Sequence, residues 1–258
     1  MSLHNAINDN DLDLVMELCA TKDVDVNMKG HYKRTPLVHA AQKGRLECIK
    51  LLCEHENIDV NGTGGWSYKT PLMMAASAGH HAIVQHLMTR SGIQLNAVDA
   101  DGNSALHYAA AGGDLECIKL LCEQGTVDVN RRGRYNRTPL ISAAFWGHNT
   151  IIEYLLTRPG VQVNAVDVDA QSALHWAAGD GHIECVKLLC EQENIDVNSL
   201  GWHGRTPLMR AAVAGRTTTL QYLVSRPGVQ LNEVDADGNT ALHLLIRNHK
   251  PANQSTVF

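Results

Sequence analysis

The chain has 258 residues, with 22 Lys and Arg against 27 Asp and Glu and a formal net charge of -5. That balance is too mild for a general affinity toward nucleic acid or anionic membrane. No apolar run approaches the roughly 18 residues that span a bilayer, and the opening MSLHNAINDND lacks the basic and apolar regions of a signal peptide. A cytoplasmic location, or a nuclear one, is therefore expected, where thiols stay reduced.

The order of the chain is set by a repeat. Asn103 to Asn130 reads NSALHYAAAGGDLECIKLLCEQGTVDVN and returns 68 positions later, at Gln171 to Asn198, as QSALHWAAGDGHIECVKLLCEQENIDVN. An anchor leucine marks each unit: Leu3, Leu37, Leu72, Leu106, Leu140, Leu174, Leu208 and Leu242, in steps of 34 residues with a single step of 35. Such a period predicts stacked supersecondary units. Repeats begin near Met1, Thr35, Thr70, Ser104, Thr138, Ser172 and Thr206, with a partial eighth at Thr240. Residues 1–249 are expected to form one repeat domain and residues 250–258 a tail.

The first repeat opens at its first helix. Its Asn5, Asn8, Asp9, Asn10, Asp11 and Asp13 suit a cap whose outer face meets water. In later units Thr-Pro-Leu or Ser-Ala-Leu starts a helix, because the hydroxyl caps a free N–H and Pro has none to lose. Gly44, Gly79, Gly113, Gly147, Gly181 and Gly215, each seven after the anchor, predict a left-handed end to that helix. A second helix with one apolar face follows, as in Leu115–Cys122. The strand-like Val127-Asp128-Val129-Asn130 and a turn then lead into the next unit. Cys48, Cys117 and Cys185 share one register and Cys53, Cys122 and Cys190 another, in alternate repeats about 20 Å apart. That is too far for disulfides, so these cysteines are expected to be buried free thiols. No CxxC pair suggests a metal site. The eighth unit loses its Gly to His249, and Pro251 blocks a second helix.

The recurring Asp-x-x-Gly-x-Thr-Pro-Leu-His, Ala-Ala-x-x-Gly, Leu-rich helix and Val-Asn resemble the ankyrin repeat over almost the whole chain. The resemblance implies an all-α repeat solenoid of antiparallel helix pairs with projecting β-hairpin fingers. It also implies that His4, His107, His175 and His243, each following an anchor Leu, hydrogen-bond within or between repeats rather than bind metal. The positions between Ala-Ala and Gly face outward in the family: Gln42 and Lys43, Ser77 and Ala78, Ala111 and Gly112, Phe145 and Trp146, Gly179 and Asp180, Val213 and Ala214. The period here exceeds the family's usual one by a residue after the second helix.

Function is expected where repeats differ. Asp99–Gly102, Asp167–Ala170 and Asp235–Gly238 are acidic turns of the family type. The other turns lose the opening Asp and carry an aromatic beside Lys or Arg: Tyr32 with Arg34, Trp66 and Tyr68 with Lys69, Tyr135 with Arg137, Trp202 with Arg205. Exposed aromatics and Arg are what protein interfaces enrich. Phe145 and Trp146 suggest an anchor near the middle of a concave groove, with packing on Trp176 as the alternative. The predicted contact set is Tyr32, Arg34, Lys43, Trp66, Tyr68, Asp101, Tyr135, Arg137, Phe145, Trp146, Asp169, Trp202 and Arg205. The chain then reads as a monomeric, non-enzymatic module for a protein or peptide that is acidic with apolar anchors. The other reading is an adaptor or targeting arm of a larger complex, motivated by the abrupt end. No P-loop, GxSxG or GxGxxG after a strand is present, so neither catalytic residues nor a cofactor are expected. One basic finger, Arg131 to Arg137, is a weak nucleic-acid footprint. Thr256-Val257-Phe258 has the form of a carboxylate-captured peptide end.

Overall fold

The structure, a computed structural model, describes residues 2–248. The expectations for Met1, His249 and the 250–258 tail lie outside them. The chain divides into two compact units, Met1–Arg134 and Tyr135–Phe258. In the first, helix pairs are formed by α1 (Leu3–Asp9) and α2 (Leu12–Ala20), α3 (Pro36–Lys43) and α4 (Leu46–Glu54), α5 (Pro71–Ser77) and α6 (His81–Met88), and α7 (Ala105–Gly112) and α8 (Leu115–Cys122). The second holds α9 (Pro139–Trp146) and α10 (Asn149–Leu156), α11 (Ala173–Asp180) and α12 (Ile183–Cys190), α13 (Pro207–Val213) and α14 (Thr217–Ser225), and then α15 (Ala241–Asn248). Within each unit a first helix packs on the first helix of the next repeat, and second helices do the same. This is the all-α repeat stack that the sequence predicts.

Helices of two turns are unstable alone, so packing must hold them. The alanine pairs Ala40-Ala41, Ala75-Ala76, Ala109-Ala110, Ala143-Ala144, Ala177-Ala178 and Ala211-Ala212 are wholly buried. Their small side chains leave room for the neighbouring first helix. The hydroxyls of Thr35, Thr70, Thr138 and Thr206 each accept from the N–H three residues on, at 3.3 Å. Gly147 ends α9 at φ 76°. A methyl there would also lie 2.6 Å from Nδ1 of His182. Cys48, Cys117, Cys185 and Cys190 are buried free thiols, but Cys53 and Cys122 are only half-buried. Their register sits toward the solvent edge of the second helix, so for these two the expectation of burial was too strong.

The fingers are turns rather than regular hairpins. Among the described residues only isolated bridges pair backbone in the extended manner, Gly64 with Lys69 and Val166 with Ser172. Val127–Asn130 is likewise a turn, because the Asp128 carboxylate accepts from the N–H of Asn130 at 3.0 Å and bends the chain. In the acidic fingers one buried carboxylate holds the turn. Asp99 accepts from the N–H groups of Asp101 and Asn103, and Asp167 and Asp235 do the same in their fingers. The residue four before the anchor leucine is left-handed in every finger: Lys33, Tyr68, Gly102, Asn136, Ala170, Gly204 and Gly238. Four fingers also give one N–H to the finger before them: Gly65 to Lys33 at 3.2 Å and Ala100 to Ser67, Val168 to Tyr135 and Ala236 to His203, each at 2.9 Å.

A second set of ties joins repeats at the far end of the second helices. The amide of Asn61 donates to the Gly92 carbonyl at 2.8 Å and accepts from the Gln94 N–H at 2.9 Å. Asn27, Asn96, Asn164 and Asn198 grip their own next repeats in the same two-bond manner. At about 0.5–1.5 kcal/mol per bond, replacing Asn198 by Ala is expected to cost on the order of 1–2 kcal/mol. Urea titration followed by circular dichroism reads this. An unchanged midpoint would show that the ties contribute nothing.

Candidate functional site

The basic fingers carry their aromatics outward because the backbone there is left-handed. Tyr32, Tyr68, Tyr135 and His203 have φ between 55 and 63°, an arrangement that costs about 1–2 kcal/mol for a residue with a Cβ. Trp66 is 75 % exposed, and Tyr32, Tyr68, Tyr135 and Trp202 are all more than half exposed. Each finger also has local ring contacts. Lys33 lies 4.4 Å from the Trp66 centroid, Arg34 5.5 Å from that of Tyr32, and His203 meets Trp202 edge-on at 4.4 Å. The rings are thus steadied by their neighbours without being covered. Lys43, Asp101 and Asp169 are exposed, and Arg34, Arg137, Phe145 and Arg205 are half-buried.

Two finger cations are anchored by carboxylates. Arg205 donates through Nε to Asp235 at 3.2 Å. Burial by itself raises the Asp235 carboxyl, but bonds from the Asn239 N–H, Arg205 and the Asp237 N–H hold it below its ordinary range. Arg137 lies with Nε 3.5 Å from buried Asp167, whose second task is to accept Nε1 of Trp176 at 2.9 Å. In the first unit the Tyr108 hydroxyl donates to Asp99 at 2.5 Å, and Lys69 lies 4.2 Å over the Tyr108 ring. Burial and the Asp99 carboxylate both push that phenol up.

The second unit gathers several predicted residues into one cluster. Phe145 meets Trp176 edge-to-face at 4.9 Å and Trp146 at 5.2 Å. Arg137 lies over both Phe145 and Trp176, at 4.5 and 4.4 Å from their centroids. Packing on Trp176 therefore holds for Phe145, whereas Trp146 stays 58 % exposed. Trp202 pairs with His203 instead, Arg205 reaches the group only through its charge, which lowers the Arg210 pKa, and the finger residues of the first unit form their own pairs.

Two members of the cluster lay outside the sequence-predicted set. Trp176 supplies its centre. Arg210, on α13, stands 5.6 Å from the Trp176 centroid. It reaches there because Gly179 has no side chain: a Cβ at that position would lie 3.3 Å from Nη2 of Arg210. Gly179 is accordingly buried, so the expectation that this position faces outward is corrected. The Arg210 side chain makes no hydrogen bond or ion pair to any described residue, and its Nε is buried. Burial lowers its pKa, opposed by the nearby Asp180 carboxylate. The signal for Arg210 was in the sequence: a lone guanidinium two after an anchor leucine, where other repeats have His39, Met74, Tyr108, Ser142 and Trp176.

The histidines do structural work. Nδ1 of His175 accepts from the Ser172 N–H at 3.2 Å, which leaves Nε2 to donate to the Arg205 carbonyl at 3.0 Å. His4 makes the same reach to Arg34 at 2.8 Å. No group of three or more His, Cys, Asp or Glu positioned to hold a metal occurs among the described residues. No helix there is long and apolar enough to cross a membrane.

A family model described as Ankyrin repeats (3 copies) matches residues 3–99, 72–167 and 159–235. An ankyrin repeat-containing protein of Schizosaccharomyces pombe is 32 % identical over 128 residues, 48 % of this chain and 53 % of that protein. Ankyrin repeat protein nuc-2 of Neurospora crassa is 32 % identical over 142 residues, 54 % of this chain and 13 % of that protein. The human transient receptor potential cation channel subfamily A member 1 is 32 % identical over 102 residues, 39 % of this chain and 9 % of that protein. The chain thus spans about half or less of the length of these curated relatives.

Neutral, buried His175 gives a pH prediction. Burial lowers its pKa from the ordinary 6.5 to about 4. Between those values the unfolded chain takes a proton that the folded chain does not, so stability falls as pH drops. The loss expected between pH 6.5 and about 4 is on the order of 2–3 kcal/mol. The wild type should show a steeper fall in urea midpoint across that window than His175→Gln. Parallel slopes would exclude His175 as the source.

Proposed function

Because this chain belongs to the ankyrin repeat family, whose arrays indicate protein–protein interaction modules, we propose that it binds a protein or peptide on its finger and first-helix surface and carries no catalysis itself. The observation that supports this is the set of finger and helix-end aromatics that stay more than half exposed: Tyr32, Trp66, Tyr68, Tyr135, Trp146 and Trp202. Large apolar side chains left in water are costly to solubility and are typical of interface anchors. Arg34, Lys43, Arg137 and Arg205 supply positive charge beside the rings, and exposed Asp101 and Asp169 lie in the acidic fingers. Such alternation suits an acidic partner with apolar anchors and sets its register by charge.

In this reading residues 1–249 act as one repeat domain, with 250–258 as a tail. The protein is monomeric and works in the cytoplasm or nucleus. A second reading, an adaptor or targeting arm of a larger complex, is favoured by relatives in which the matched segment is only 9 % or 13 % of the whole.

The test is affinity capture from cytosolic lysate with the wild type and a Trp66/Trp146/Trp202→Ala variant of matching circular dichroism. Partners captured by the wild type should fall at least tenfold with the variant, as expected when anchors worth about 2 kcal/mol are removed. Equal capture by both proteins would place binding elsewhere on the chain.

A further inference from the structure

The geometry points to a carboxylate-binding subsite at Arg210, which together with Trp176 and the exposed indole of Trp146 binds a short acidic peptide segment carrying one apolar anchor. This rests on the interaction-module reading and names the chemistry of the partner at one place in it.

Among the finger and first-helix arginines of the second unit, the distribution of acceptors decides the choice. Arg137 has Asp167, and Arg205 has Asp235. Arg210 has none. Its guanidinium is half-buried, its Nε is shielded from water without a partner, and desolvation already disfavours its charge. A buried donor without an acceptor is destabilising, more so when charged, and a ligand that supplies the acceptor recovers that loss. The planar group is also pre-placed. Gly179 leaves the space across which it lies, and Trp176 flanks it. A guanidinium held in this way loses little freedom on accepting a carboxylate.

The partner's charge follows from the neighbours. Arg210 feels the charges of Asp180, Arg205 and Asp167, and Arg137 and Arg205 are each offset by a carboxylate, so the surroundings are close to neutral and suit one negative charge rather than two. A phosphate dianion or a nucleic-acid backbone would meet the Asp180 carboxylate and the exposed Asp169 in the adjoining finger, on a chain whose net charge is -5. A carboxylate side chain of Asp or Glu therefore fits best.

The partner's second feature follows from the row of rings. Arg210, Trp176, Phe145 and Trp146 form a continuous series of contacts with steps of 5.6, 4.9 and 5.2 Å. Trp176 and Phe145 are engaged with Arg137, and Trp146, at the end of the row, keeps its face to solvent. An extended peptide rising about 3.3 Å per residue covers the row with roughly four or five residues. Its acidic side chain would meet Arg210 and an aliphatic or aromatic side chain would meet Trp146.

The experiment is selection of random phage-displayed dodecapeptides on the full 258-residue protein, with Arg210→Gln protein as counter-target. Recovered peptides are then titrated by fluorescence anisotropy, and the four tryptophan indole N–H signals are followed by nitrogen-15 NMR. Recovered sequences should carry Asp or Glu three to five residues from Leu, Phe or Trp. Arg210→Gln and Trp146→Ala should each weaken binding about tenfold, and Val224→Ala, at an exposed position on α14, should not. The signals of Trp146 and Trp176 should move on binding while that of Trp66 stays. Should Arg210→Gln lower the melting temperature, Arg210→Lys, which keeps the charge and loses the planar fork, carries the test with an expected loss of a few-fold.

Selected peptides without acidic enrichment, or bound within twofold by the Arg210 variants, overturn the subsite. So does preference for a phosphoserine peptide over its Glu counterpart, or for a dodecamer RNA. Peptides that ignore Arg210 and Trp146 but are lost with Trp66→Ala or Trp202→Ala leave the broader aromatic surface standing and remove only this subsite. Peptides indifferent to every tryptophan variant remove both.

Discussion

Within each unit an asparagine near the end of a repeat grips the backbone of the next one, as Asn27, Asn61, Asn96, Asn164 and Asn198 do, and much of the regularity of each unit depends on that grip. The constraint behind it is that two-turn helices cannot survive alone, so every repeat must be registered against a neighbour. Buried alanines and leucines supply the attraction, but apolar contact is not directional and tolerates sliding. The two hydrogen bonds made by Asn27, Asn61, Asn96, Asn164 or Asn198 are directional and specify a single register. The 35-residue step shows this. Asn61 lies one position further from its following anchor leucine than the others, yet it makes the same pair of bonds, and the extra residue is absorbed in the finger that holds Trp66.

At the opposite end of the repeats the fingers solve a different problem. An acidic finger is organised from within, by a buried Asp that accepts two backbone N–H groups. A basic finger lacks that Asp and closes through backbone alone, Gly30 to Arg34 and Gly201 to Arg205 at 2.9 Å. Freed from capping duty, its side chains can be large and outward-facing. The left-handed position four before the anchor is common to both kinds, so the sequence varies around a fixed backbone. Side-chain chemistry changes from finger to finger while the left-handed position under it does not.

The repeat, the helix starts and the glycine ends were legible in the sequence because each follows from a local rule: Thr-Pro-Leu caps, a Gly terminates, and period 34 stacks. The fingers were less so. Val127–Asn130 has the composition of a strand, yet one carboxylate, that of Asp128, outweighs β-propensity by bonding its own backbone. Of the candidate site, the exposure of Trp66, Trp146 and Trp202 was foreseeable from their place in the unit. The Arg210–Trp176 contact was not. It depends on the absence of a side chain at Gly179 one repeat away, and an absent atom has no periodicity to detect. For Phe145 the register suggested solvent, with packing on Trp176 as the alternative, and the alternative holds: its ring meets Trp176 edge-to-face at 4.9 Å.

The asparagine grips also govern how such a chain responds to tension. Each links a repeat only to its immediate neighbour, through bonds loaded along the direction of the array. Pulled from its ends, a unit should therefore yield as a sequence of separate ruptures rather than at once. Each rupture frees one repeat of 34 residues, or about 115 Å of extended chain. Within a unit the order of rupture would then follow the strength of each separate link rather than the stability of the whole.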